Sequence, residues 1–170
     1  MPLPIAHGLL GASVAAAVHP KPTNRFCIPL LVGALLANAP DFDFLLVFIF
    51  RSKDFHRGFS HSITLALVVF LIFIWRFGRQ RFREATAYGL AFASHCVLDF
   101  LTTKEGGGIE LLSPFSSQRF VFGWLGLSEM PSKLSAAEIV QTLGVEFLLF
   151  APLLVLILFL RNYFHAQKTL

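Results

Sequence analysis

Histidine and aspartate side chains lie within or beside the apolar stretches of this 170-residue chain. An ionisable side chain at the centre of a bilayer costs about 2.5–3.5 kcal/mol on insertion scales, so it usually has a partner and a function. Imidazole and carboxylate ligands suit zinc, manganese or iron. The sequence therefore predicts a site for one or two divalent metal ions, zinc first among them. The candidate ligands are His7, Asp41, Asp43, His56, His61, His95 and Asp99.

The pair formed by His95 and Asp99 has the clearest spacing. Residues four apart share one face of a helix, about 6 Å from each other, and such a pair can offer two ligands to one metal. The alternative is a histidine–aspartate hydrogen bond that ties two helices together. We expect Asp43 and His56 to be additional ligands or to support the others. The expected core ligands are His7, Asp41, His61, His95 and Asp99.

The same residues could perform hydrolysis. Two metal ions about 3.5–4 Å apart would activate water and stabilise the charge that develops on a phosphoester. We consider Asp41, Asp43 and Arg57 as catalytic candidates, and spacing alone leaves open which carboxylate is a base or a bridge. The guanidinium of Arg57 could clamp a phosphate, or it could be an interfacial charge that only orients the helices. Gly58, the next residue, is expected to adopt a positive φ.

The composition indicates an integral membrane protein with no separate soluble domain. Hydrophobic residues make up 55% of the chain, mean hydropathy is +0.68 and charged residues are 14%, against roughly 25% in soluble domains. We predict one membrane-embedded domain over residues 1–170. The net charge of +4 comes from basic residues between apolar runs, so the expected partner is the lipid bilayer and no nucleic acid is expected. Cys27 and Cys96 are not expected to form a disulfide.

Hydrophobic runs predict an all-α membrane bundle of about five helices, with a long surface loop at residues 104–134 before the last one. The predicted helices cover about residues 5–18, 28–50, 60–75, 85–103 and 135–160. Pro40 should break the second helix, because proline removes a backbone donor and clashes with the preceding turn. Ser60 is a candidate N-cap, and residues 135–138 have the form of a capping box. Small residues such as Gly11 and Ala15 suit the first helix for close packing.

Basic residues predict the orientation of the bundle. Eight of the fourteen follow the first, third and fifth helices, which favours that side as cytoplasmic. All seven candidate ligands then fall in the outer layer, toward the periplasmic face of a bacterial inner membrane. The eight residues are Lys21, Arg25, Arg76, Arg79, Arg81, Arg83, Arg161 and Lys168.

Around these residues the chain resembles a bacterial family of small, multi-pass inner-membrane metal-dependent hydrolases described as LexA-regulated or LexA-binding. The resemblance rests on five segments, which are residues 6–11 (AHGLLG), 39–43 (APDFD), 56–62 (HRGFSHS), 94–102 (SHCVLDFLT) and 111–116 (LLSPFS). The order of histidines and aspartates is also similar, more loosely, to zinc-dependent phospholipase C and related single-strand nucleases. The resemblance implies hydrolysis, and the looser similarity favours a phosphoester substrate.

The candidate ligands, the apolar runs and the resemblance together predict a membrane-bound metal-dependent hydrolase that uses a metal-activated water on an ester. The expected substrate is a phosphoester of a lipid, such as a phospholipid, or of an envelope metabolite. One alternative is a non-enzymatic membrane scaffold or regulator with a structural metal site. A second is an ion or small-solute transporter, because a broken helix with carboxylates also suits ion passage; no inverted repeat is detectable in the sequence to support it.

Overall fold

The structure is a computed structural model that describes residues 2–20, 27–52, 55–103, 107–123 and 135–167. Some residues used in the orientation argument lie outside these ranges, as does part of the loop before the last helix. The basic residues outside the described ranges are Lys21, Arg25, Lys53, Lys104, Lys133 and Lys168, and Trp124 is one of the loop residues outside them.

The described chain is all-α, as the hydrophobic runs predict. Helices α1, α2 and α3 cover Pro4–Val18, Cys27–Asn38 and Phe44–Phe50, and α4, α5 and α6 cover Ile63–Phe77, Phe82–Thr102 and Ala136–Ala166. Short 3-10 helices occupy Ala39–Asp43, Phe59–His61 and Arg79–Arg81. Helix α1 packs against α2, α5 and α6, and α4 packs against α5. The described helices therefore form one bundle with α1 and α5 at its centre.

The second predicted helix is broken at Pro40, and this prediction is confirmed. Helix α2 ends at Asn38, the 3-10 helix Ala39–Asp43 follows, and α3 continues to Phe50. The segment Cys27–Phe50 as a whole is long and apolar enough to cross a membrane, as is Ala136–Phe164. Helices α4 and α5, which meet at a bend of 116°, would form a third span if counted together.

Small residues allow α1 and α2 to approach closely, as predicted for the first helix. A Cβ atom built on Gly33 would lie 2.6 Å from the Cβ of Ala15 and 2.6 Å from the carbonyl oxygen of Gly11. Real Cβ atoms do not come this close to other heavy atoms, so a larger residue would push the two helices apart. Since His7 lies one turn before Gly11 on α1, this contact also fixes the depth of a candidate ligand.

We expect Gly33→Ala to destabilise the bundle by about 1–3 kcal/mol, because an added methyl group has no space between α1 and α2. Gly144→Ala on α6 is a matched control, since no atom lies within 4 Å of its added Cβ. Thermal unfolding in detergent, followed by circular dichroism, should show a lower midpoint for Gly33→Ala only. Equal midpoints for the two variants would contradict the close helix contact.

Two local predictions were wrong. Ser62, rather than Ser60, is the N-cap of α4, and its hydroxyl accepts the backbone N–H of Leu65 at 3.0 Å. The positive φ of 60° belongs to Arg57, and Gly58 has a φ of −84°. At the last helix, the hydroxyl of Ser135 does accept the backbone N–H of Glu138 at 3.2 Å, as its capping pattern predicts.

The described part of the long loop, residues 107–123, packs on one end of the bundle. Its backbone pairs with itself where Ile109 bridges Phe120. The backbone N–H of Glu110 donates to the carbonyl oxygen of Arg57, and the carbonyl oxygen of Leu111 accepts the N–H of Ile63, both at 3.0 Å. The loop therefore holds the turn that precedes α4, where two candidate ligands lie.

Candidate metal centre

Four candidate ligand atoms lie around one point inside the bundle. The Nε2 atoms of His61 and His95 are 2.9 Å apart. Oδ1 of Asp41 lies 3.5 Å from each of these nitrogens, and Oδ2 of Asp99 lies 3.4 Å from His61 and 3.8 Å from His95. Ligands about 2.1 Å from a tetrahedral zinc ion lie about 3.4 Å from one another. Five of the six distances among the four atoms, between 2.9 and 3.8 Å, are therefore near the spacing of ligands around one metal ion.

The ring of His95 is held with one nitrogen facing this point. Its Nδ1 lies 2.7 Å from the carbonyl oxygen of Ala37 on α2. Because a carbonyl oxygen only accepts, Nδ1 must carry the proton and donate it to Ala37, which leaves the lone pair of Nε2 directed at the centre. A backbone carbonyl that orients a histidine in this way is a common outer partner of metal ligands.

His61 is oriented by a carboxylate and a hydroxyl on its other side. Its Nδ1 lies 2.9 Å from the hydroxyl of Ser60, and that hydroxyl donates to Oδ2 of Asp43 at 2.6 Å. Asp43 itself lies 3.4 Å from the Nδ1 of His61. An Nδ1–H that faces these acceptors leaves Nε2 to face the centre, as in His95. Ser60 thus supports the ligand that follows it instead of capping α4.

Negative charge is concentrated around His61, which precedes α4 and lies outside the candidate spans. Burial alone would lower the pKa of its imidazole. The carboxylates around it outweigh burial and raise this pKa to about 10; they belong to Asp41, Asp43 and Asp99. The cluster therefore favours a positive charge at this point, which a proton or a metal cation can supply.

His7 brings a fifth candidate to the cluster from α1. Its ring stacks on that of His95 with centroids 3.9 Å apart, and its Nε2 lies 3.4 Å from Oδ1 of Asp99. Neither nitrogen of His7 has a hydrogen-bond partner in the described part of the chain, and the same holds for both carboxylate oxygens of Asp99 and for Oδ1 of Asp41. Buried polar atoms are rarely left unpaired. A cation among them would satisfy these atoms, so the residues fit a metal ion.

Asp43 and His56 lie next to the four-atom centre. The two oxygens of Asp43 accept hydrogen bonds from the Nδ1–H of His56 at 2.8 Å and from the backbone N–H of Arg57 at 3.0 Å. Asp41, Asp43 and His56 also form a group whose ligand atoms lie within 4.8 Å of one another, as do His7, His95 and Asp99. The arrangement therefore offers one site of four ligand atoms, with further ligand atoms on two sides of it.

The catalytic candidates occupy different positions in this arrangement. Asp41 is in the four-atom centre, and Asp43 supports the histidines. Arg57 has a buried side chain, 6% exposed, and its backbone contacts Asp43 directly. Cys96 is buried and is in none of the possible metal groups found among the described residues.

We expect Asp43→Asn to weaken metal binding by about 10–100-fold, the usual effect of losing an outer partner of a ligand. An amide at this position cannot accept with both of its ends, so the orientations of His56 and His61 would loosen. Zinc affinity by competition with a chelator measures this effect. Glu110→Gln is a control outside the cluster; its carboxylate pairs with Arg119 at 3.3 Å. If both variants bind zinc as tightly as the unaltered protein, Asp43 has no supporting role.

One buried carboxylate was given no role by the sequence. Glu146 on α6 is fully buried, and its two oxygens accept the backbone N–H groups of Leu3 and Ala6, the latter at 3.1 Å. A carboxylate at a helix N-terminus satisfies free N–H groups and interacts well with the helix dipole. Glu146 therefore anchors the start of α1, where His7 lies. The signal available in the sequence was a carboxylate in the interior of the most apolar candidate span, Ala136–Phe164.

We expect Glu146→Gln to lower the affinity for metal about tenfold, because α1 and its histidine would lose their anchor. Glu138→Gln on the same helix serves as the control. Cobalt(II) absorption bands report the coordination geometry, and they should change for Glu146→Gln alone. Unchanged bands and affinity would mean that the anchor does not act on the ligands.

Comparison with known proteins agrees with the membrane assignment. A family model described as YdjM inner membrane protein matches residues 1–168. The chain belongs to this family. A relative from Escherichia coli (strain K12), described as inner membrane protein YbcI, is 34% identical over 114 residues; the match covers 62% of this chain and 65% of the relative. No solved structure matches the chain.

Membership of the YdjM family makes the chain an inner-membrane protein. Its helical bundle and its candidate spans agree with that location. Neither the description of the family nor that of the relative names an activity, a metal or LexA. The hydrolase activity, the metal and the link to LexA therefore stay predictions. The chain spans just under two thirds of the curated relative's own length.

Proposed function

We propose that this YdjM family member is a membrane-bound metal-dependent hydrolase of phosphoesters. The observation that carries the proposal is the close placement of four ligand atoms from Asp41, His61, His95 and Asp99. Two imidazoles and two carboxylates with this spacing favour zinc over harder cations, with manganese and iron as alternatives. The further ligand atoms of His7, Asp43 and His56 leave room for a second ion.

A divalent ion in such a site lowers the pKa of a bound water and polarises a phosphoryl oxygen. The chain's own residues would hold and orient the reacting groups. Carboxylate Asp41 is the best candidate to take the proton of the attacking water, since its side chain is 14% exposed whereas those of His7, His61 and Asp99 are fully buried. In the overall reaction water supplies the hydroxyl to phosphorus and a proton to the alcohol that leaves.

Arg57 supports a phosphoester in preference to other esters. Arg57 follows His56 directly in the chain and is 6% exposed. Its backbone N–H donates to Asp43. Guanidinium groups bind phosphate oxygens through paired, charge-assisted hydrogen bonds. A positive φ of 60° at a residue other than glycine is a strained conformation that is often found at functional sites.

The excess of basic residues after the first, third and fifth predicted helices supports an orientation with this centre toward the periplasmic face. A phosphoester of a lipid headgroup or of an envelope metabolite would be accessible there.

A structural metal site in a membrane scaffold or regulator is the second candidate. The specific observation in its favour is that four protein ligand atoms already surround the centre, and that the side chains of His61, His95 and Asp99 are fully buried. Structural zinc sites are closed in this way, whereas catalytic sites keep an open position.

Purified protein in detergent decides between the two candidates. Its metal content should be measured first, and hydrolysis of bis(p-nitrophenyl) phosphate and of phospholipid micelles should then be assayed with zinc or manganese. We expect turnover that is lost with a chelator and restored by the metal. Full metal occupancy without turnover on any of these phosphodiesters would favour the structural role.

A further inference from the structure

A cavity of about 410 Å³ lies beside the candidate metal centre. Residues 2–4 at the start of α1 form one wall, and Asn38, Phe42 and Phe44 from the broken span form the other. Asp41 lies on the same wall and is the ionisable residue of the lining. The volume falls within the usual range for ligand sites, about 300–1,000 Å³. The cavity is therefore large enough to hold part of a substrate.

The position of Asp41 makes this cavity the approach to the centre. Its side chain is the partly exposed member of the four-atom set, while those of His61, His95 and Asp99 are fully buried. Since Asp41 also lines the cavity, a molecule bound there lies directly beside the four-atom centre. Because the other walls are almost entirely apolar, the part of the molecule that lies there should be apolar too.

The cavity is continuous with the surface that faces lipid. Phe42 is 73% exposed and Phe44 is 44% exposed, and α3 has no buried residue. These residues belong to the candidate span Cys27–Phe50, where exposed phenylalanines contact hydrocarbon chains instead of water. A chain from the surrounding bilayer can enter the cavity without leaving an apolar environment.

We propose that this cavity binds a hydrocarbon chain of a membrane phospholipid. Its phosphate would then lie at the metal ion of the four-atom centre, next to Asp41 at the polar end of an otherwise apolar slot. The binding of the chain stands on the cavity alone, whereas cleavage of the phosphoester rests on the proposed function. Together they narrow the substrate class from phosphoesters in general to phospholipids.

Photo-crosslinking tests the cavity without requiring turnover. The probe is phosphatidylglycerol with a diazirine in one acyl chain, added to the full chain in lipid nanodiscs, with labelled residues mapped by mass spectrometry. We expect labels concentrated on residues 2–4, Phe42 and Phe44. Leu3→Trp should fill the slot and reduce labelling of the two phenylalanines about tenfold, and the smaller Leu3→Phe should reduce it less.

Leu156→Trp on α6 is the matched control, since Leu156 is exposed on the apolar surface, at 52%, and does not line the cavity. It should leave the labelling unchanged, and zinc content should be the same in all variants, which checks that each is folded. Unlabelled dipalmitoyl phosphatidylglycerol should compete with the probe much better than the dihexanoyl lipid. These results together support a hydrocarbon chain as the occupant.

Labels spread evenly over the apolar surface, or labelling unaffected by Leu3→Trp, would overturn the proposal. So would a dimer in which the cavity residues escape labelling, since a second copy would then fill the slot. Selective labelling without hydrolysis of either phospholipid or bis(p-nitrophenyl) phosphate would support the cavity and contradict the proposed function. Hydrolysis of phospholipid that Leu3→Trp does not affect, together with even labelling, would contradict the cavity and leave the proposed function standing.

Discussion

Replacing both His95 and Asp99 with alanine should remove the metal from the purified protein. Each residue supplies one of the four ligand atoms, and Asp99 also lies 3.4 Å from His7. With two of the four ligand atoms missing, we expect the affinity for zinc to fall more than about 100-fold, beyond the effect of losing an outer partner. Elemental analysis after dialysis against a weak chelator should find about one equivalent or more in the unaltered protein and little in the variant.

The chain offers a matched control at another position. His19 on the other end of α1 lies 3.7 Å from Glu84 and 3.4 Å from the hydroxyl of Tyr88. His19→Ala combined with Glu84→Ala likewise removes one imidazole and one carboxylate without touching the centre, so metal content should not change. Unchanged metal in the His95 and Asp99 variant, with its helical circular dichroism spectrum intact, would end the metal hypothesis.

Asp41→Asn should abolish turnover while the protein still holds some metal. The substitution keeps the shape of the side chain and one carbonyl oxygen, but it removes the negative charge and the ability to take a proton. Loss of a general base typically costs about 10²–10⁴-fold in rate. We therefore expect kcat to fall at least about 100-fold when zinc is supplied in excess, which compensates for weaker binding.

Glu110→Gln is the control for this assay, because it neutralises a carboxylate on the loop of residues 107–123, outside the cluster of candidate ligands. Rate constants for both variants should be measured at saturating zinc on the same phosphodiester. A rate for Asp41→Asn within a fewfold of the unaltered protein would exclude this carboxylate as the base and would leave Asp43 as the candidate.

Much of the fold follows from short-range features of the sequence. Long apolar runs define the helices, and Pro40 interrupts one of them because no other residue type removes a donor and clashes at once. The candidate ligands were also found from sequence, since charges in apolar runs are costly enough to be rare. In the structure, each of the seven candidate ligands lies next to at least one other.

Other features depend on which side chains meet in three dimensions. Ser60 and Ser62 are both plausible caps by spacing, and only the position of Asp43 decides that the first serves His61 instead. The positive φ lies at Arg57, whose backbone contacts both Asp43 and the long loop. A local pattern instead favours the glycine that follows it. The anchor at Glu146 involves residues about 140 positions apart, beyond any local pattern.

The interruption at Pro40 has an effect beyond redirecting two aspartates. Pro40 has no backbone N–H to give to the carbonyl oxygens of the turn before it, and Ala37 lies in that turn, at the end of α2. The carbonyl oxygen of Ala37 is left to bind the ring of His95 on a different helix. A single imino acid thus decides which tautomer a histidine adopts across the bundle, and Pro40→Ala would repair the backbone at the expense of that distant ring's orientation.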